Sequence, residues 1–324
     1  MSIIAKKTRE SYLDQISGLL IVYMIVYHIL QWSDLNNVIH SLWMKPLSFF
    51  MFWFFYKSGM FYKKRTSKDI LFWGGRKLLV PFLIFSLLGH ALLCVQMWNS
   101  GICDWKKYLL DPIYSVFLAG STSGNTPLWF LPTLLAVQFI YNIAGKKISD
   151  YSLFVLSLSL AYLLFRYNIH KPLFLGNISL GLAVYTIGYK LRTLQFYKSI
   201  LWFSILIYVL IFIIQSDSID FRVNNLKGGI YLLAVSFAIC GCVLINNCFK
   251  IISKSLGILE YIGRKSMSFY VMHWIIIQAV SMSCNYHGWS LFVTICIASI
   301  LFLPIADKFI CAYHQGWMIG KKTT

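Results

Sequence analysis

Long apolar runs alternate along the chain with short polar breaks that hold most of its charge. A helix crossing a bilayer needs about 17–25 predominantly apolar residues. Runs of that kind fall near 12–31, 43–62, 78–98, 127–144, 151–167, 173–191, 199–215, 228–248, 267–285 and 289–311. The fourth, fifth and sixth are short and closely spaced. The pattern predicts an all-α fold, a polytopic membrane protein with about ten transmembrane helices.

The breaks predict an orientation. With the N-terminus inside, 21 of the 29 basic residues face the cytoplasm, among them Lys6, Lys7, Arg9, Lys63, Lys64, Arg65, Lys254, Lys321 and Lys322. Seven face outward (Lys45, Lys106, Lys107, Arg166, Lys171, Arg222, Lys227), and Lys57 lies inside the second run. That alternation follows the positive-inside rule and places both termini in the cytoplasm. Asp14 and Gln15 open the first run and no A-x-A-like cleavage site follows it, so it reads as a retained helix and not a signal peptide. The one long outer break, 99–126, has apolar residues at mixed spacing and then a Gly/Ser/Thr/Asn cluster that reads as loop. A partly buried or re-entrant segment fits it.

Composition narrows the function classes. Hydrophobic residues make up 58% and charged residues 12% of the 324, against about 25% charged in a soluble domain. The net charge of +18 sits in clusters between apolar runs, which argues for membrane topology and against a nucleic-acid partner. Eight cysteines lie mostly inside apolar runs, with Cys103 in a loop, and form no C-x-x-C pair. They read as small apolar helix residues, and no metal site is expected. No internal repeat of the kind common in secondary transporters stands out.

Ionisable groups inside a span are costly and by default suggest function. His28, His90 and His273 fall in runs, whereas His40, His170, His287 and His314 fall in breaks or tails. Asp14 and His28 share one face of the first helix, about 21 Å apart along its axis, too far to bond each other. They suit two ends of one channel, with Gly18 on the same side allowing close approach. The ordinary alternative for His28 is a neutral imidazole bonded to a neighbouring helix. Counted from the helix ends, His28 lies toward the outer side and His273 toward the inner, which argues against a tight dyad. His90 has no polar neighbours in sequence and reads as structural. Lys57 either snorkels or pairs, and Ser58-Gly59 forms a close-packing notch. Trp129 is an interfacial belt residue or a platform for a sugar ring. Arg76 and Lys77, with Lys63, Lys64 and Arg65, make a basic inner rim that suits either water or a polyphosphorylated ligand such as coenzyme A.

Five segments in order, YLDQISGLLIVYMIVYH at 12–28, FWFFYKSGMFYKK at 52–64, RKLLVPFLIFSLL at 76–88, PLWFLPTLL at 127–135 and ILEYIGRKSMSFYVMHW at 258–274, resemble the acyltransferase family three membrane O-acyltransferases. The resemblance is strongest to the branch that decorates surface polysaccharides. It implies a single acyltransferase domain over 1–324 in a bacterial cytoplasmic membrane, with acetyl-CoA as co-substrate and no bound cofactor. The acceptor it implies is a sugar hydroxyl of a polysaccharide or lipid-linked glycan. Asp14, Gly18 and His28 match the family's first-helix pattern, with His28 catalytic, whereas Ser17 stands where the family has a basic residue. Lys57 or Arg76 is then the candidate to supply that charge. His273 closes the stretch running through Gly263, Ser266 or Ser268, and Tyr270. The implied sites are His28, Asp14 and His273 for catalysis, Arg76, Lys77, Lys57 and Ser58 for the acyl-CoA, and Trp129 and Tyr270 for the acceptor. A transporter or flippase for a lipid-linked glycan is the alternative, and it would need no covalent step at His28.

Overall fold

The computed structural model describes residues 10–102, 104–169, 171–215, 217–252 and 256–312. Lys6, Lys7, Arg9, Lys254, Lys321, Lys322, Cys103, His170 and His314 lie outside the described residues. The principal helices are α1 (Ser11–Trp32), α2 (Phe50–Met60), α3 (Val80–Asn99), α4 (Phe130–Ala144), α5 (Asp150–Arg166) and α6 (Leu173–Leu194). They continue with α7 (Lys198–Ile214), α8 (Tyr231–Ile251), the short α9 (Gly257–Arg264), α10 (Ser266–Ser283) and α11 (Gly288–Ala312).

Each apolar run coincides with one of these helices. Two depart from regular geometry, both at proline. Pro46 sits in a separate 3₁₀ turn, Lys45–Leu47, so α2 begins later than the apolar run does. Ahead of Pro81, residues Ile70–Leu79 form wide π-helical turns. The missing proline amide loosens the hydrogen-bond ladder there. Among the described residues, five helical stretches are long and apolar enough to cross a membrane: Ser11–Trp32, Ser67–Asn99, Asp111–Ala144, Tyr231–Ile251 and Gly288–Ile310.

Large apolar side chains cover the perimeter, including Trp202, Leu206 and Ile213 on α7 and Ile297, Ile300 and Phe302 on α11. Water-soluble monomers rarely expose contiguous apolar surface on this scale. The molecule is a multi-pass membrane protein.

Glycines set the tightest crossings. A Cβ on Gly18 would stand 2.0 Å from the Leu259 carbonyl oxygen, and one on Gly263 would stand 1.7 Å from that of Asp14. Backbone therefore meets backbone where α9 crosses the start of α1. The notch expected at Ser58-Gly59 is the same device between α2 and α6. A Cβ on Gly59 would reach within 2.0 Å of the Tyr185 carbonyl oxygen.

The 99–126 break is partly buried, as expected, but through its polar half and not its apolar one. Its apolar half forms two short helices, Trp105–Leu109 and Asp111–Ala119, that expose Leu109, Ile113 and Phe117. The polar half is the buried part. Ser123–Trp129 winds as 3₁₀ turns with Asn125 fully enclosed, and Asn125 Nδ2 donates to the carbonyls of Phe85 and Val271 at 3.3 Å each. Small and amide side chains serve as well for burying a loop as for solvating it, because they hydrogen-bond backbone at close range.

Candidate active site

At the C-terminal end of α1, residues of the 33–49 loop and of 217–227 enclose a cavity of about 450 Å³. Its wall includes Tyr27, His28, Trp129, Arg222, Tyr270 and Trp274.

His273 stands directly behind His28. The rings stack with centroids 5.4 Å apart at 26°, which corrects the expectation that the two lie at different depths. The physical reason is where the chain enters the bundle. Gly263 of α9 packs between the Asp14 carbonyl and the Gly18 amide, so His273, ten residues after Gly263, and His28, ten residues after Gly18, reach a similar height.

Packing fixes both imidazoles. Trp274 meets His28 edge-on at 5.3 Å, and Trp32 in turn meets Trp274 at 5.0 Å. His273 is fully buried, and its Nδ1 lies 2.6 Å from the Tyr270 carbonyl. A carbonyl only accepts, so Nδ1 carries the proton and Nε2 keeps its lone pair. That Nε2 and the Nδ1 of His28 are both buried with no hydrogen-bond partner.

Trp129 and Tyr270 do border the cavity, but as wall and not as open platforms. Trp129 is 4% exposed and stacks on Phe221 at 5.9 Å. The Tyr270 hydroxyl donates to the Pro127 carbonyl. This contact ties α10 to the buried 123–129 segment and so aligns both walls.

Asp14 is a site apart. It is buried at the α1–α9 crossing, with Arg264 Nε 3.8 Å from its carboxylate. Nearby, Ser11 Oγ donates to Glu260 at 2.8 Å. Between Asp14 and His28, Lys57 Nζ donates to Ser17 Oγ at 2.6 Å and lies over the Trp53 ring at 4.9 Å. Ser58 faces elsewhere, accepting from Gln138 Nε2 at 3.0 Å. Arg76 and Lys77, on the π-helical turns, line neither this cavity nor the second one described below. The four residues expected to hold the acyl-CoA therefore do not form one cluster. His90 is structural, with Nε2 2.7 Å from the Tyr108 carbonyl.

A second cavity of about 380 Å³ opens at the end of the bundle where α4 and α6 finish. Tyr62, Lys64, Tyr141, Lys146, Tyr189 and Arg192 line it, with Asp150 held by the Tyr141 hydroxyl at 2.8 Å and by Lys190 at 2.9 Å.

His28, partly buried, faces the cavity with the fully buried His273 stacked behind it, an arrangement suited to proton or group transfer, and one comparison decides the family. The family model described as an acyltransferase domain matches residues 10–307. The chain belongs to acyltransferase family three. No curated protein and no solved structure is significantly similar to it.

In this family-three acyltransferase, sequence reasoning missed three features. Arg222 counted only as an outward basic residue, although it walls the His28 cavity. The tyrosines of the second cavity are spread over α4, α6 and the end of α2, so no local pattern joins them. The third is a polar core in which Trp53, Tyr56, Gln195 and Asn246 bond one another. The Asn246-Asn247 pair near the end of an apolar run was the available signal for Asn246.

Proposed function

We propose that this family member is a ten-span membrane O-acyltransferase of the bacterial cytoplasmic membrane, with both termini in the cytoplasm. It moves an acetyl group from cytoplasmic acetyl-CoA to a sugar hydroxyl of a surface polysaccharide or lipid-linked glycan on the outer side. The observation that carries this reading is the His28–His273 stack at the wall of a cavity, each ring with an unsatisfied buried nitrogen. Buried polar atoms in native proteins are nearly always paired, and a hydroxyl entering the cavity supplies a partner to His28, the ring that lines it.

His28 fronts the cavity and is the general base. As the sugar oxygen attacks the thioester carbonyl, a C–O bond forms, the C–S bond breaks, the hydroxyl proton passes to His28, and the departing thiolate takes it up as free coenzyme A. His273 sets the orientation of His28, with its own tautomer fixed by Tyr270. Lys57 brings a cation beside Ser17, the position where the first-helix pattern of the family has a basic residue. Lys64, Lys146 and Arg192 are the basic groups that border the inner cavity. They hold the phosphates of the acyl-CoA, while Arg76 and Lys77 belong to the solvated rim.

Transfer from radiolabelled acetyl-CoA to surface glycan, in membranes matched for folded protein, tests this. Label should move with the wild type, disappear with His28→Ala and fall strongly with His273→Ala. Full activity in His28→Ala refutes the catalytic assignment. Wild-type membranes that move no label to any glycan favour a transporter of lipid-linked glycan.

A further inference from the structure

Arg222 is the cation in the His28 cavity whose surroundings leave it work to do. It sits on the turn between Asp220 and Asn225, whose main chains bond each other at 2.8 and 3.1 Å. Both flanks of that turn are anchored. Phe221 is buried between Trp129 and Phe55, stacking on Phe55 at 4.9 Å. Asn224 Nδ2 donates to the Ala161 carbonyl at 2.8 Å. The backbone of Arg222 is fixed in turn by its amide, which donates to Asp220 Oδ1 at 3.1 Å. A guanidinium carried on a turn this constrained is pre-organised for a ligand.

The other cations of the cavity are committed or peripheral. Lys45 Nζ donates to the carbonyls of Phe212 and Gln215, closing the end of α7, and Lys227 is exposed at the rim. Arg222 Nε, in contrast, is buried with no hydrogen-bond partner. Burial pulls the pKa of Arg222 below its ordinary value, and the nearby charge of Asp220 acts the other way. The guanidinium remains a cation at any physiological pH. It lines the same cavity as His28.

We infer that Arg222 selects an acceptor carrying an anionic oxygen group, a carboxylate or a phosphate, and seats it so that a neighbouring hydroxyl meets His28. The inference rests on the acyl-transfer reading for the role of His28. The planar guanidinium fork matches such groups and exceeds a lysine in geometric selectivity. Asp217 and Asp220, in the same wall, accept hydrogen bonds from sugar hydroxyls, and Tyr27 and Trp274 offer ring surface to the sugar. The wall thus holds one partner for each part of an acidic or phosphorylated sugar.

The test uses full-length protein in proteoliposomes and three acceptors: a uronate-containing oligosaccharide, the same oligosaccharide with its carboxyls reduced, and a glycosyl phosphate. The wild type should prefer one or both charged acceptors, and which one it prefers separates an acidic sugar from a phosphate-linked one. Arg222→Gln should raise KM for the preferred acceptor roughly 10- to 100-fold, the size of one charge-assisted contact. It should leave kcat and the neutral acceptor nearly unchanged, and Arg222→Lys should recover part of the loss. An equal fall in kcat for all three acceptors would place Arg222 at the reacting centre instead and overturn the inference, as would no preference for charge in the wild type. Direct binding of the same acceptors separates this outcome from a failure of acyl transfer. Charge-selective binding that Arg222→Gln abolishes, without any transfer, keeps the anion site and discards the transferase reading. Absence of charge-selective binding discards the site.

Discussion

Two buried polar clusters in the same bundle show opposite hydrogen-bond accounts. In the first, Trp53 Nε1 donates to Asn246 Oδ1 at 2.9 Å, and Asn246 Nδ2 donates to Gln195 Oε1 at 2.9 Å. The Tyr56 hydroxyl joins the same oxygen at 3.0 Å, and Gln195 Nε2 donates to the Arg192 carbonyl at 3.2 Å. This network locks α2, α8 and the end of α6 together. In the second cluster, His28 and His273 are held by packing against aromatic rings, and each keeps a buried nitrogen without a partner. Polar residues in an apolar interior invite a functional reading wherever they occur. The comparison teaches that an unsatisfied polar atom points to a site when it lies beside a cavity, since His90 and Asn125 also keep an unpaired buried atom but line neither cavity.

That contrast predicts how the two clusters respond to substitution. The largest effect belongs to the histidines: His28→Ala should cost about 100- to 10,000-fold in acyl transfer, the usual share of a general base. Its thermal unfolding in detergent should stay near that of the wild type. A large loss of stability would move His28 into the scaffold class and break the comparison. Gln195→Leu should do the reverse. It strands the Tyr56 hydroxyl, worth about 1–3 kcal/mol when left unpaired, and leaves Asn246 Nδ2 only the Met60 sulfur. The melting temperature should drop while turnover per folded molecule holds.

A smaller structural effect is expected at Gly18→Ala, whose methyl group meets the Leu259 carbonyl. Overpacking of that kind costs about 1–3 kcal/mol, and chemical denaturation should show it together with weakened protection of α9 in hydrogen exchange. The smallest effect is at Lys57→Met, which removes the cation beside Ser17. Transfer should fall about tenfold, in line with the loss of a single charge-assisted hydrogen bond. Adding Ser17→Lys should restore part of it, because the new ammonium starts from the partner's position. No recovery, with stability unchanged, would show that the location of the charge on α2 matters and not its presence.

The helices were legible because hydrocarbon leaves a strong signature: a continuous apolar run of sufficient length, broken by clustered lysine and arginine. The first-helix residues Asp14, Gly18 and His28 were legible as a face, since helical periodicity relates them directly. The pairing of His28 with His273 was not. Depth counted from the end of an apolar run fails when the chain is already packed on its neighbour before the run begins, as Gly263 of α9 is on α1. The roles of Trp129 and Tyr270 as buried wall were equally hidden, because they depend on a polar segment, 123–129, whose composition reads as solvated loop. Arg222 was indistinguishable in sequence from any other outward cation, and only its anchored turn gives it a direction.

By itself, the sequence determined the class of solvent this protein lives in, the positions of its helices and the family to which it belongs. These follow from local composition and from patterns within single helices, and the free energy of burying backbone and apolar side chains in lipid is set segment by segment. Tertiary structure alone decided which polar atoms are satisfied. Hydrogen bonds and stacked rings join residues far apart in the chain, such as His28 with His273 or Trp53 with Asn246. They reach only a few ångströms, so helix crossings fixed by glycine contacts and loop anchors choose the partners, and with them the site.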